Sequence, residues 1–250
     1  MLRLENRVAL ITGAASGIGK AIALRFADEG ANVSLVDIDK QSIFDLAEKI
    51  KKSGKKAVSI PCDVTNELQV YQAVEQTVKE FGALHILVNN AGISPIKPLE
   101  EITLEDWNKV MGINLTGPFL FTKAAFPHIK AAGFQGRVIN MGSLAGQIGG
   151  IAVGLHYTAS KGGIMAMTKQ LAKLLAPYKA TANSIAPGTT DTPLVLAWSE
   201  ETKEALIKQI PLGRLGIPED VANVALFIAS DESQFITGAT INVNGGMFTG

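Results

Sequence analysis

Short apolar runs alternate with longer amphipathic segments from one end of the chain to the other, and this alternation constrains the fold more than any single motif. Residues 8–11, 33–36, 57–60, 86–88, 137–140, 182–185 and 240–243 read as strands. Between them, residues 18–28, 40–52, 67–81, 104–126, 157–175, 200–209 and 219–229 read as helices. Strands that are nearly continuous apolar runs need cover on both faces, which antiparallel sheets with one wet face do not require. The pattern therefore predicts a doubly wound α/β fold: a parallel sheet of seven strands flanked by helices. No repeat, low-complexity tract or Pro/Ser-rich linker interrupts it, so residues 1–250 are expected to form a single domain, with a substrate lid around 190–212.

Composition narrows the function classes. Lys and Arg number 23 against 23 Asp and Glu, so the chain lacks the cationic surplus by which nucleic-acid binders neutralise phosphates. A lone cysteine, Cys62, allows no disulfide and no cysteine-based zinc cluster, and no metal-ligand spacing links His85, His128 and His156. No apolar run reaches the ~18–20 residues that span a bilayer, and the first residues lack the apolar stretch of a secretion signal. A cytoplasmic protein acting on small molecules, with no nucleic acid, membrane or metal partner, is expected. The one unusual count is glycine, 25 of 250 residues.

Three of those glycines, Gly13, Gly17 and Gly19, fall between the first strand and the first helix in Thr12-Gly13-Ala14-Ala15-Ser16-Gly17-Ile18-Gly19. At this turn of an α/β sheet, glycines let backbone N–H groups approach a diphosphate, and the helix N-terminus adds positive potential. A triphosphate-binding loop is excluded because Ala14 and Ala21 stand where Gly and Ser or Thr are needed. Asp37 ends the second strand, 18 positions after Gly19. A carboxylate there accepts hydrogen bonds from the adenosine ribose and repels the additional phosphate of NADP, while neither Ser16 nor Ile38 supplies a cation for it. NAD is the predicted cofactor.

Tyr157 and Lys161 stand four apart at the start of a predicted helix and so share a face. Lowering a tyrosine pKa from ~10 to ~7 requires ~4 kcal/mol of preference for the phenolate. An ammonium at ~5 Å in an effective dielectric of ~20 supplies ~3 kcal/mol. The pair can thus donate a proton to a carbonyl or take one from an alcohol. Ser143 follows the fifth strand, at the sheet end where such folds bind ligands. Asn114 is a polar residue in an apolar helical stretch, suited either to a backbone-bonded kink or to a water relay reaching Lys161. His156 adjoins Tyr157 but lies ~100° around the helix, so it faces elsewhere.

Together these residues resemble the short-chain dehydrogenase/reductase family along the whole chain, especially the branch containing the 3-oxoacyl-[acyl-carrier-protein] reductases. The resemblance is carried by Thr12 to Gly19, Asp63, Asn89-Asn90-Ala91-Gly92, Asn114, Ser143, Tyr157 to Lys161, Asn183, Pro187-Gly188 and Asn242 to Gly246. It implies a Rossmann-type sheet, Tyr157 as acid/base, Lys161 on the nicotinamide ribose, Ser143 orienting the carbonyl and Asn114 in a proton relay. It further implies that Asp63 reaches the adenine and that Asn90, Ala91 and Gly92 line the cofactor. Thr192 would hold the carboxamide, with Ser16, Ile18, Val64, Pro187, Gly188 and Thr190 among the other cofactor contacts. A homotetramer is implied as well. The biosynthetic reductases tend towards NADPH, from which Asp37 departs.

The expected reaction is hydride transfer between a nicotinamide and a secondary-alcohol carbon, taking a small-molecule ketone or secondary alcohol. Leu144, Ile148, Ile151, Val153 and Leu155 make the expected pocket wall apolar, as is the segment 194–198. A sugar or polyol dehydrogenase is the alternative enzyme. A dinucleotide-sensing regulator without turnover is the alternative from another class, which the presence of both Tyr157 and Lys161 disfavours.

Overall fold

The computed structural model describes residues 2–150, 153–192 and 200–250. Its centre is one seven-stranded sheet, all parallel, in the order β3-β2-β1-β4-β5-β6-β7. The strands are β1 Val8–Thr12, β2 Asn32–Asp37, β3 Ala57–Pro61, β4 Ile86–Asn89, β5 Arg137–Met141, β6 Thr181–Pro187 and β7 Thr240–Val243. The helices are α1 Gly17–Asp28, α2 Lys40–Lys52, α3 Glu67–Phe81, α4 Leu104–Met111, α5 Gly117–Ala131, α6 Ala145–Ile148, α7 Leu155–Leu175, α8 Glu200–Ile207 and α9 Pro218–Ala229.

Alternate residues of each strand point to opposite faces and so feed two separate cores. Ala9 and Ile11 of β1 join α1, α2 and α9 in one layer, through Ile22, Phe26, Ile43 and Leu226. Leu10, between them in sequence, packs in the other layer with Val74 of α3, Phe121 of α5 and Leu171 of α7. The chain builds outward from β1 to β3 and then returns to place β4 on the opposite side of β1. The reversal opens a crevice beyond the carboxyl ends of β1 and β4.

Local chemistry sets the element ends. Asp39 caps α2 by accepting from the Ser42 N–H at 3.1 Å, and Asn66 caps α3 through Gln69 N–H, also at 3.1 Å. Thr103 with Asp106 three positions on reads in the sequence as a capping box, and the two residues form it reciprocally. Gly54 follows the end of α2 at φ +78°, as a stop after Lys52 requires.

The expected helix 104–126 is not continuous. Residues 112–116 form a π-helical turn between α4 and α5. Pro118 accounts for the interruption: in an α-helix its nitrogen would donate to the Asn114 carbonyl, and it carries no hydrogen. The apolar segment 194–198, part of the expected lid, and Ile151 lie outside the described residues. Among the described residues, no helix is long and apolar enough to cross a membrane, and no cluster of ligating side chains could hold a metal ion.

Candidate active site

A cavity of about 840 Å³ occupies the crevice. The glycine turn forms its floor. Gly13 and Gly17 take φ of +67° and +52°, conformations that side chains rarely adopt, and Ser16 N-caps α1. Asn90 braces this turn, donating from Nδ2 to the carbonyls of Thr12 at 2.9 Å and Gly13 at 3.1 Å. Thr12 returns the contact, its Oγ1 accepting from the backbone N–H groups of Asn90 and Ala91, each at 3.0 Å.

Asp37 stands at one end of the cavity. Its carboxylate accepts from the Ala15 N–H at 3.0 Å and the Asp39 N–H at 3.1 Å, tying the end of β2 to the glycine turn. Asp63 lies alongside, with Oδ1 accepting from the Thr65 N–H at 2.9 Å and hydroxyl at 2.8 Å. At the opposite end, Ser143 follows β5, and Tyr157 and Lys161 come from the first turns of α7.

Of the residues expected around the cofactor, Gly13, Ser16, Gly17, Ile18, Asp37, Asp63, Val64, Asn90, Ala91, Gly92, Tyr157, Lys161, Pro187, Gly188, Thr190 and Thr192 all line this cavity. Gly19 does not. A side chain on Gly19 would collide with the Gly13 carbonyl, so this glycine lets α1 pack against the turn rather than face a ligand. Asn114 is also set back from the cavity wall and is 1% exposed. Its amide accepts from the Ile93 N–H at 2.9 Å and donates to the Ile93 carbonyl at 2.9 Å and the Ser160 hydroxyl at 3.1 Å. Through these bonds the side chain ties the π turn to the segment after β4 and to the first turns of α7.

The Enoyl-(Acyl carrier protein) reductase family model matches residues 13–248, the turn, the reacting end and the tail together. The chain belongs to the short-chain dehydrogenase/reductase family. Among curated relatives, the 3-oxoacyl-[acyl-carrier-protein] reductase FabG of Thermotoga maritima is 42% identical over 247 residues, covering 98% of this chain and 99% of that protein. The protein of the same name from Aquifex aeolicus is 39% identical, covering 99% of each. The (2S)-[(R)-hydroxy(phenyl)methyl]succinyl-CoA dehydrogenase subunit BbsD of Thauera aromatica is also 39% identical, covering 97% of each. A short-chain type dehydrogenase/reductase from Mycobacterium marinum superposes with a TM-score of 0.93 at 36% identity, covering 100% of this chain and 98% of the other.

Short-chain dehydrogenase/reductases use a nicotinamide dinucleotide. The residues here fit such a group. An acidic end at Asp37 and Asp63 faces ribose and adenine chemistry, and bare backbone at Gly13 and Gly17 meets the N-terminus of α1 where a diphosphate needs it.

The electrostatics of this dehydrogenase/reductase site differ from the simple ammonium–phenolate expectation. The Lys161 Nζ lies 5.7 Å from the centroid of the Tyr157 ring, but donates its hydrogen bond to the Met141 carbonyl at 2.7 Å. Burial lowers the Lys161 pKa to about 8. Burial also raises that of Tyr157, opposed by a hydrogen bond with Ser143. Among the protein's own groups, desolvation therefore outweighs the Ser143 hydrogen bond and holds the Tyr157 pKa above its usual value.

His156 faces away as expected. It is fully buried, with Nδ1 accepting from the Tyr157 N–H at 3.0 Å.

Several site features escaped sequence reasoning. Cys62, Ser94, Ile96 and Met247 line the cavity although none belongs to a motif considered above, while Leu206, which also lines it, falls within the lid expected around 190–212. A buried polar ladder also lies behind the site. Asn89 donates to Asn140 at 2.8 Å and to Thr122 at 3.2 Å, and Asn140 donates to Thr168 at 2.8 Å. It joins α5, β4, β5 and α7, and its members are too far apart in sequence to announce one another.

Proposed function

We propose that the protein is an NAD(H)-dependent oxidoreductase that interconverts a secondary alcohol and a ketone. The observation that carries this reading is the meeting of Ser143, Tyr157 and Lys161 at one end of a cavity whose other end presents the Asp37 carboxylate. When bound, the nicotinamide supplies or accepts the hydride at the carbinol carbon. Ser143 holds the substrate oxygen beside the phenol, and Tyr157 gives that oxygen its proton in reduction or takes it in oxidation. Lys161, fixed to β5 through the Met141 carbonyl, keeps a positive charge near the phenol and would bind the nicotinamide ribose. Asn114 acts on the site through Ile93 and Ser160.

The NAD preference rests on Asp37, and on Lys161 being the only basic residue among the described lining residues. A 2′-phosphate at the Asp37 end would meet a carboxylate and no cation. The protein is further proposed to assemble as a homotetramer, which the exposed apolar side chains of Leu104, Phe119 and Leu155 on α4, α5 and α7 support.

The test is a panel of ketones, 3-oxoacyl thioesters and polyols assayed with NADH/NAD and NADPH/NADP, with Tyr157→Phe alongside. Equal turnover by Tyr157→Phe overturns the proton-transfer role. Preference for NADPH overturns the role of Asp37.

A further inference from the structure

Charge is unevenly distributed around the cavity. The carboxylates, Asp37 and Asp63, stand at the end assigned to the adenosine, and Lys161 is held by the Met141 carbonyl. On the β5–β7 side the described lining includes Leu144, Ile148, Val153, Leu206 and Met247, with Ile96 from the segment after β4, and Ser94 and Thr192 as uncharged polar groups. Residues 151–152 and 193–199, outside the described residues, contain no Asp, Glu, Lys or Arg in sequence. They bring no charge to the site wherever they lie.

Two of these wall residues reach the site through one another's segments. Gly245 and Gly246 take φ of +64° and +93° and turn the tail back against Ile210 and Pro211, just beyond α8. The Leu212 N–H donates to the Gly245 carbonyl at 3.1 Å, and Asn244 Oδ1 accepts from the Gly246 N–H at 3.0 Å. A side chain on Gly245 would come within 2.5 Å of Ile210 Cγ2, so the two segments are packed too closely to shift independently. Leu206 and Met247, both lining the cavity, are therefore carried by two joined segments on its β7 side, the side away from Asp37.

We infer that the substrate is a ketone or alcohol with no charge near the reacting carbon, and that Met247, from the C-terminal tail, is a specificity-determining residue that rejects a carboxylate there. The inference rests on the hydride-transfer reading above and names the substrate class of that same site. A carboxylate placed against this wall loses its water and gains no cation from the wall, while Lys161 is already held by the Met141 carbonyl, so burial costs far more than for an ester or aryl group.

The experiment compares kcat/KM, with NADH, for acetophenone against its para-carboxylate and for methyl levulinate against levulinate. The uncharged member of each pair is expected to be favoured on the order of 100-fold or more. Met247→Lys is expected to narrow that ratio roughly tenfold by improving the acids, through a cation at short range. Met247→Gln, polar but uncharged, is expected to keep the discrimination. NADH binding followed by fluorescence and a thermal melt establish that each variant is folded.

Acid and neutral ketones turned over within about threefold of each other by the unmodified protein would overturn the inference while leaving the hydride-transfer reading intact. An unchanged ratio in folded Met247→Lys would overturn the assignment to Met247. Absence of turnover with all four ketones and across the wider ketone, thioester and polyol panel would overturn the hydride-transfer reading, and this inference with it.

Discussion

Lys161 donates from Nζ to the Met141 carbonyl at 2.7 Å, so the ammonium of α7 is anchored on the end of β5 and not on the Tyr157 hydroxyl. Its position beside the phenol ring is therefore set by the scaffold, before any substrate arrives.

This anchoring gives the reduction a pH dependence with a definite sign. Ketone reduction needs Tyr157 protonated and Lys161 charged. The raised Tyr157 pKa keeps the first condition through neutral pH, while Lys161 loses its proton near pH 8 because of burial. The kcat/KM for reduction is expected to be flat through neutral pH and to fall above about pH 8. Lys161→Arg, which holds its charge, should move the fall to higher pH in any variant that remains active.

Stability should move opposite to activity at the same residue. A base whose folded pKa lies below its unfolded value penalises folding while it is charged, and the penalty fades as pH rises through that interval. For Lys161 the interval runs from about 8 to 10.5, equivalent to about 3 kcal/mol. Removing the amine also removes a hydrogen bond of about 1 kcal/mol. Lys161→Met is therefore expected to gain about 1–2 kcal/mol in urea unfolding at neutral pH, to lose that gain above pH 10, and to lose turnover throughout.

Asp37 serves both the cofactor end and the glycine turn, and two substitutions separate these duties. Asp37→Asn can retain the acceptor for the Ala15 N–H while losing the charge. It should relax discrimination against NADPH with little change in melting temperature. Asp37→Ala combined with Ile38→Arg should move the NADH/NADPH ratio of kcat/KM on the order of 100-fold towards NADPH, through removal of a repulsive charge and supply of an attractive one.

Gly19 and Gly54 offer a contrast within one residue type. A Cβ on Gly54 meets nothing within 4 Å, so Gly54→Ala costs only the strain of φ +78°, about 1 kcal/mol. A Cβ on Gly19 would strike the Gly13 carbonyl and come within 2.5 Å of Asn90 Nδ2. Gly19→Ala is expected to cost about 3 kcal/mol or more and to weaken NADH binding, read by thermal melt and by fluorescence titration.

Much of this molecule was legible in the amino-acid order. Nearly continuous apolar runs set between longer amphipathic segments predicted every strand of the sheet, because a strand covered on both faces needs apolar side chains on both. Thr103 and Asp106 predicted a capping box because both bonds close within three residues. The residues that line the cavity were legible through motifs at the ends of strands, where the topology gathers them.

Other features were not. The π turn at 112–116 depends on Pro118 and on the two hydrogen bonds by which Asn114 holds Ile93, a residue 21 positions earlier. The roles of Gly19 and Asn114 as packing and bracing residues appear only when the cavity wall is drawn. The pKa directions of Tyr157 and Lys161 reversed the simple two-charge expectation because both groups are desolvated, a property of their surroundings that spacing along a helix does not carry.

The sequence by itself determined the parallel sheet, the glycine turn, Asp37 and the Tyr157/Lys161 pair, since each depends on residues adjacent or a few positions apart. Only the tertiary structure decided which distant residues share the cavity. Leu206 and Met247 join Tyr157 there through a tail that folds back on the segment after α8, and such contacts between distant parts of the chain are settled by packing, not by local order.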